Sequence, residues 1–331
     1  MLFKEDAAAR AQHQAVREHA GWYRWTHDLV EVKGADAASF LERLCVNTIG
    51  NAAVGRTKYT TLLNEEGKII DDTIVMHMGE NEYWVSTLYA PQFLQWAEKQ
   101  KGAMEVSCED ITKKIDMYAV QGPDSLKILN SMLEEPADEL KRFQIKDNTL
   151  SGIPVKVHRS GFTGELGYEI YCDMEQTAAA EEAIRSGCAA FDAPELTILE
   201  VYVRSLPVEK GFALRQDMYG LTPFECGLDW SVHMEKDFIG KEALQKAQEE
   251  GPQYKLVGLE YLAESYEDIA QKEIVYSYGV PCGFVRAAIY GYTVDKNIGS
   301  AVIKAGKAVI GEKVTVGSNH SPAVITDKCW L

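Results

Sequence analysis

The chain has 331 residues, 46% of them hydrophobic and 25% charged, with a formal net charge of −16. That length supports a large core and two or three packed units, and so acidic a surface repels phosphate backbones, which excludes nucleic acid as an expected partner. No run of about 18 uninterrupted apolar residues occurs, and the N-terminal Met1-Leu-Phe-Lys-Glu-Asp6 is acidic early with no apolar signal core, so a cytoplasmic protein without a membrane span is expected.

The seven cysteines (Cys45, Cys108, Cys172, Cys188, Cys226, Cys282, Cys329) are scattered and never form Cys-x-x-Cys. That pattern argues for reduced thiols and against a structural zinc site.

Residues 4–19 are Ala-rich and charged, helical by propensity, and Gly21-Trp22-Tyr23-Arg24-Trp25 is read as the end of that helix. Leu29 to Gly34 alternates like a strand, and Asp36 is placed to cap a helix through Phe40–Leu44. Residues 56–86 read as three strands joined by two tight turns, Asn64-Glu-Glu-Gly67 and Gly79-Glu-Asn81. Two adjacent acids, Asp71 and Asp72, interrupt the apolar middle strand. Neighbouring strand residues point to opposite faces, so one carboxylate must look inward, which is costly unless it is paired or useful.

Pro91–Lys101 predicts a helix with proline in its first turn. Met104–Ser107 and Ile115–Pro123 predict strands, and Gly122–Ser125 opens a helix to Leu133. Helix and strands recur in the same order near 28–86 and 115–171, which suggests two related α+β halves. In His158–Tyr171, three glycines within seven residues form a tight turn feeding an alternating strand. Glu175–Ala190 and Glu195–Ser205 read as helical, and Gly251-Pro252 marks a boundary. Beyond it, short apolar runs between Gly-containing turns suggest a small β-barrel or sandwich.

Several phrases occur in a telling order. They are Trp25-Thr26-His27 leading to Phe40-Leu41-x-x-Leu44-x-x-Asn47, and Tyr59-x-x-x-Leu63-Asn64-x-x-Gly67-x-Ile69-x-Asp71-Asp72. Gln121-Gly122-Pro123, Arg159-x-Gly161-Phe162-Thr163-Gly164-Glu165-x-Gly167-Tyr168-Glu169-Ile170, Thr222-Pro223-x-Glu225-x-Gly227-Leu228 and Lys296-Asn297-Ile298-Gly299 follow. This series resembles the T-protein (aminomethyltransferase) family of the glycine cleavage system, with its folate-dependent demethylase and methyltransferase relatives.

The resemblance implies an α+β fold. Residues 1–250 would form a folate-binding core of two ferredoxin-like halves, about 1–110 and 111–250, and residues 251–331 a C-terminal β-barrel. It implies an enzyme with tetrahydrofolate as co-substrate. The main expectation is transfer of a methyl or methylene group from a small N-, O- or S-methylated donor. The alternatives are glycine-cleavage aminomethyl transfer from a carrier protein and non-catalytic folate binding.

In the family frame Asp72 is the catalytic carboxylate, and Tyr59, Asp72, Glu169, Ser86 and Arg204 are the folate-binding set. A pterin edge offers two parallel N–H donors, which Glu169 can accept in bidentate fashion. Two departures concern substrate handling: the family's folate-contacting arginine falls on Val203, unless Arg204 serves, and the family's asparagine after the third strand is Ser86. Gly164 and Glu165 are read as turn structure and His27 as a satisfied half-buried histidine. Arg204 and Arg215 are either anion binders or surface cations, and Trp25 and Trp230 are read as core. No metal is expected.

Overall fold

The computed structural model describes residues 2–25, 27–263 and 272–331, so Thr26 of the entry phrase lies outside the described residues. In chain order the first 190 residues give α1 (Ala7–Glu18), β1 (Gly21–Trp25), β2 (Asp28–Lys33), α2 (Ala37–Leu44), β3 (Thr57–Leu63), β4 (Ile69–Gly79), β5 (Glu82–Thr87) and α3 (Ala90–Lys101). They continue with β6 (Ser107–Asp110), β7 (Ile115–Gln121), α4 (Ser125–Asn130), β8 (Ile145–Leu150), β9 (Ile153–His158), β10 (Gly167–Asp173) and α5 (Thr177–Ala189).

These strands make two five-stranded sheets, ordered β3-β4-β5-β2-β6 and β1-β7-β10-β9-β8. The two orders correspond strand for strand once β6 and β1 are taken as equivalent edge strands. β1 runs into β2 but pairs with β7, whereas β6 runs into β7 but pairs with β2. The first sheet is drawn from the contiguous Asp28–Asp110, whereas the second completes β7–β10 with β1 from the start of the chain.

Strand periodicity assigns the faces. On the first sheet Val30, Val32, Leu62, Val75 and Val85 pack under Phe40, Leu41 and Leu44 of α2 and Phe93 and Ala97 of α3. On the second, Tyr118, Val120, Tyr168 and Ile170 pack under Ile128 and Leu129 of α4 and Ile184 of α5. The opposite faces meet each other: Leu29, Met76 and Trp84 of the first sheet join Met117, Ile145 and Tyr171 of the second. The molecule is thus layered helix–sheet–sheet–helix, with the candidate residues on the inner faces.

Six further strands, β11 (Tyr254–Tyr261), β12 (Ile274–Ser277), β13 (Val280–Gly291), β14 (Lys296–Lys304), β15 (Lys313–Val316) and β16 (Ser321–Thr326), close into a barrel rather than a sandwich. Its interior continues into a cluster with Ala9 and Val16 of α1, Tyr202 and Leu206. A buried ionic hub fixes this junction. Glu209, fully buried, accepts from Arg17 Nη2 at 3.0 Å and the Thr293 amide at 2.8 Å, and lies 3.1 Å from His13 Nε2. Burial pushes the Glu209 carboxyl up, but His13, Thr293 and Arg17 outweigh that and hold it at about 2.

Several local expectations shift. Gly21–Trp25 is an edge strand, not the end of a helix. Its partner β7 is about a hundred residues away, so nothing local announces it. Asp36 stands at the helix start without capping it, because its carboxylate accepts the Glu105 amide instead, at 2.7 Å. The strand expected at 104–107 lies at Ser107–Asp110, and the helix expected to reach Leu133 ends at Asn130. The helix expected over 195–205 begins only at Leu199, widens to a π-turn at Val201–Ser205 and continues as Leu206–Glu209, while Glu195 bridges to Trp22 instead. Pro207 lacks an N–H and crowds the preceding turn, so the wider turn ahead of it relieves the conflict. Among the described residues no helix is long and apolar enough to cross a membrane.

Candidate functional site

β3, β4 and β5 bring the first set of residues to the inner face. Cross-strand register puts Tyr59 opposite Ile74, Thr61 opposite Asp72, and Ile74 opposite Ser86. The β3–β4 turn that sets this register needs glycine at Gly67, where φ is +73° and a Cβ would stand 2.9 Å from the Leu244 amide. On the second sheet Glu169 stands between His158 and Ala119, and Ala119 faces Tyr23. Trp25, His27, Tyr59, Asp72, Ile74 and Glu169 all turn toward the space, or gap, between the sheets and keep some accessible surface.

Asp71 and Asp72 split as the strand period demands. Asp71 is buried on the helix side, where Thr87 donates to it at 2.6 Å and Arg215 Nε lies 3.2 Å away. Burial lifts its carboxyl to about 6, against the pull of Thr87 and Arg215. Asp72 faces the gap, and the Tyr59 hydroxyl donates to it over a long 3.4 Å. Burial first, and the Asp71 charge second, push the Asp72 carboxyl up to about 7. Such a group can exchange a proton at neutral pH. Tyr59 stays a phenol, because burial and Asp72 raise it well above the ordinary 10.0.

The second carboxylate is tuned the other way. Burial raises Glu169, but the His158 hydrogen bond, the neighbouring imidazoles and Tyr171 outweigh it and keep the group ionised. His158 Nδ1 lies 2.7 Å from Glu169 Oε2, and the Tyr171 hydroxyl donates at 3.0 Å.

His27 joins the two sheets. Its Nδ1 lies 2.7 Å from Ser86 Oγ, and its ring packs on Trp25 at 4.6 Å between centroids. Burial lowers His27 to about 4, against the opposing Glu169 charge, so it is neutral at physiological pH. Trp25 also packs on Tyr23, Tyr202 and Phe162, giving the gap an aromatic wall. The Trp25 indole N–H and the Thr61 hydroxyl are buried without a hydrogen-bond partner among the described residues. Two carboxylates, orphaned polar atoms and flat apolar walls fit a planar, N–H-rich ligand.

The remaining sequence candidates fall elsewhere. Arg204 donates through Nη1 to buried Asp217 at 3.0 Å. Arg215 serves Asp71 and also donates to the Ile70 carbonyl and to Gln92. Glu165 pairs with Arg17 at 2.9 Å and Lys210 at 3.1 Å, and Gly164 turns at φ +77° over the Lys210 stem. Trp230, expected in the core, is 62% exposed and stacks on Tyr59 with centroids 5.6 Å apart. Sequence reasoning missed Thr57, His158 and Tyr171. The period-two rule could have found Tyr171, two residues beyond Glu169 on the same face.

Residues 3–236 match the family model described as the GCVT N-terminal domain, and residues 255–330 match that of the glycine cleavage T-protein C-terminal barrel domain. The chain belongs to the glycine cleavage T-protein family. Similar proteins named aminomethyltransferase occur in Caldanaerobacter subterraneus subsp. tengcongensis, 32% identical over 333 residues, and in Geobacillus kaustophilus, 30% identical over 322 residues. These alignments cover 96% and 94% of this chain, respectively, and 86% of each relative. The fold is that of the crystal structure of glycine cleavage system aminomethyltransferase T from Bartonella henselae, with a TM-score of 0.87 at 22% identity, covering 98% of this chain and 89% of that one. Membership in the T-protein family makes the chain a one-carbon transferase that uses tetrahydrofolate as co-substrate.

Proposed function

We propose that the chain is an aminomethyltransferase. The donor would be an aminomethyl group on the lipoyl arm of a carrier protein; its carbon passes to tetrahydrofolate as a methylene, and ammonia leaves. The pair of oppositely tuned carboxylates on facing sheets carries this reading. Glu169, held ionised, accepts pterin N–H donors. Asp72, poised near 7, accepts a proton or stabilises the cationic character that develops at the folate nitrogens. Tyr59 positions Asp72, and Ser86 positions His27 at the edge of the gap. Support for an aminomethyl donor comes from relatives of that name, aligned over almost the whole chain.

Methyl transfer from a small N-, O- or S-methylated compound is the second reading. It is favoured by Arg204 being engaged with Asp217 and by Val203 standing where the family frame expects an arginine. The deciding experiment incubates the protein with tetrahydrofolate and either an aminomethyl-lipoyl carrier protein or a panel of methylated donors. Methylenetetrahydrofolate with stoichiometric ammonia, from the carrier alone, supports the proposal. 5-Methyltetrahydrofolate from a small donor, with no carrier reaction, overturns it.

A further inference from the structure

Both hydrogen bonds to the Glu169 carboxylate fall on one oxygen. His158 Nδ1 and the Tyr171 hydroxyl both meet Oε2, and no residue described here bonds to Oε1. Register puts His158 directly across from Glu169, on β9 beside β10. His158 is itself fully buried, and its second nitrogen, Nε2, lies 2.9 Å from Thr57 Oγ1. Thr57, 2% exposed, belongs to β3 of the other sheet, two residues before Tyr59 and on the same face. A carboxylate only accepts, so Nδ1 carries the donated proton. Either proton arrangement at Nε2 keeps the link to the Thr57 hydroxyl.

A buried histidine is often just a satisfied core residue. This one is satisfied by a site residue on one side and by the opposing sheet on the other, so its bonds set where that site residue stands. Tyr171, a phenol with its acidity suppressed by burial, closes the remaining lone pair of Oε2. The oxygen left for a ligand is Oε1.

We infer that His158 is a positioning residue for tetrahydrofolate: seated on Thr57, it fixes Oε2 of Glu169 and leaves Oε1 as the acceptor for the substrate's N–H groups. The inference rests on the reading that Glu169 binds the folate. It replaces the two-oxygen grip anticipated from sequence with a one-sided one. It also ties the folate acceptor on β10 to the strand that carries Tyr59, so the two halves of the site keep one spacing.

Two amide substitutions separate positioning from packing. His158→Asn places its amide nitrogen near Nδ1 and keeps the donor to Glu169. His158→Gln places its amide near Nε2, keeping Thr57 and losing Glu169. A charge-assisted hydrogen bond in a buried site is worth roughly 10-fold or more in affinity. His158→Gln is therefore expected to weaken tetrahydrofolate binding, measured calorimetrically, by about 10-fold or more and to raise KM, with kcat within about 3-fold. His158→Asn is expected to bind within about 3-fold of wild type.

Equal affinities in the two variants at matched Tm overturn the inference. If the glutamine variant does not fold, His158→Phe keeps a ring of similar shape and removes the donor to Glu169: folate affinity weakened by about 10-fold or more supports the inference, and wild-type affinity overturns it. Glu169→Gln separates the two layers. Undiminished binding there removes the reading beneath and the inference with it. Weak binding there, with His158→Asn and His158→Gln alike, overturns only the role of His158.

Discussion

Asp72→Asn bears on function and stability in opposite directions. The Asp72 carboxyl rises from its ordinary 3.8 to about 7, chiefly through burial and then through the charge of Asp71. Between those two values the folded protein holds a proton that the unfolded chain has already released. The contribution of this group is therefore fully favourable below about pH 4 and is lost as the pH rises through about 7. At pH 8 the ionised group is a burden of at most about 4 kcal/mol, and solvent reaching it through the gap reduces that to about 2 kcal/mol. Asparagine is nearly the same shape and carries no charge. The variant is expected to melt a few degrees higher at pH 8, by about 1–4 °C, and the difference should shrink to roughly half at pH 5.5 and close below about pH 4, where Asp72 is protonated in the folded and unfolded chain alike. Turnover should fall roughly 10²–10⁴-fold, the range for a lost proton-transfer or electrostatic group. Thermal melts at both pH values and a methylenetetrahydrofolate assay read the two effects. A stability difference independent of pH, or turnover within about 3-fold of wild type, would refute the reasoning.

Other expectations follow from the same contacts. Asp71→Asn removes the charge beside Asp72, so the apparent neutral ionisation in the kcat/KM profile should move to lower pH; an unmoved profile would detach Asp71 from the pair. Arg204→Met leaves Asp217 buried without its main partner and should lower stability by about 2 kcal/mol, with the KM for tetrahydrofolate shifting less than about 3-fold. A large KM rise at unchanged Tm would instead make Arg204 a folate ligand. Glu209→Gln breaks the hub between α1 and the barrel and should cost about 2–4 kcal/mol. Because the Glu209 carboxyl is depressed from 4.5 to about 2, the wild-type advantage is present above about pH 4.5 and fades as the pH falls toward 2. Trp230→Ala, at an exposed site, should leave the melt within about 0.5 kcal/mol but free the Tyr59 ring, reducing kcat/KM; unchanged kinetics would make the stack incidental.

The central hairpins were legible because their turns are written in side chains. Asn81 and Gly67 both take positive φ, and the alternation between them fixes which residues share a face. The split of Asp71 and Asp72 followed from that alternation alone. The borrowed edge strand was not legible, because a strand's partner is chosen by tertiary packing: Gly21–Trp25 carries no mark naming β7. Trp230 misled for a related reason. Residue type says that a tryptophan prefers contact, not whether the contact is a core or a single exposed tyrosine. His158 was hidden by sequence distance, since Thr57 lies 101 residues away.

The most direct measurement is a crystal structure with tetrahydrofolate bound. The expected result is a pterin lying between the two sheets, its N–H edge on Glu169 Oε1 and its reactive nitrogens turned toward Asp72 and Tyr59. Electron density for the pterin outside that gap, or within it but touching neither carboxylate, would contradict the assignment.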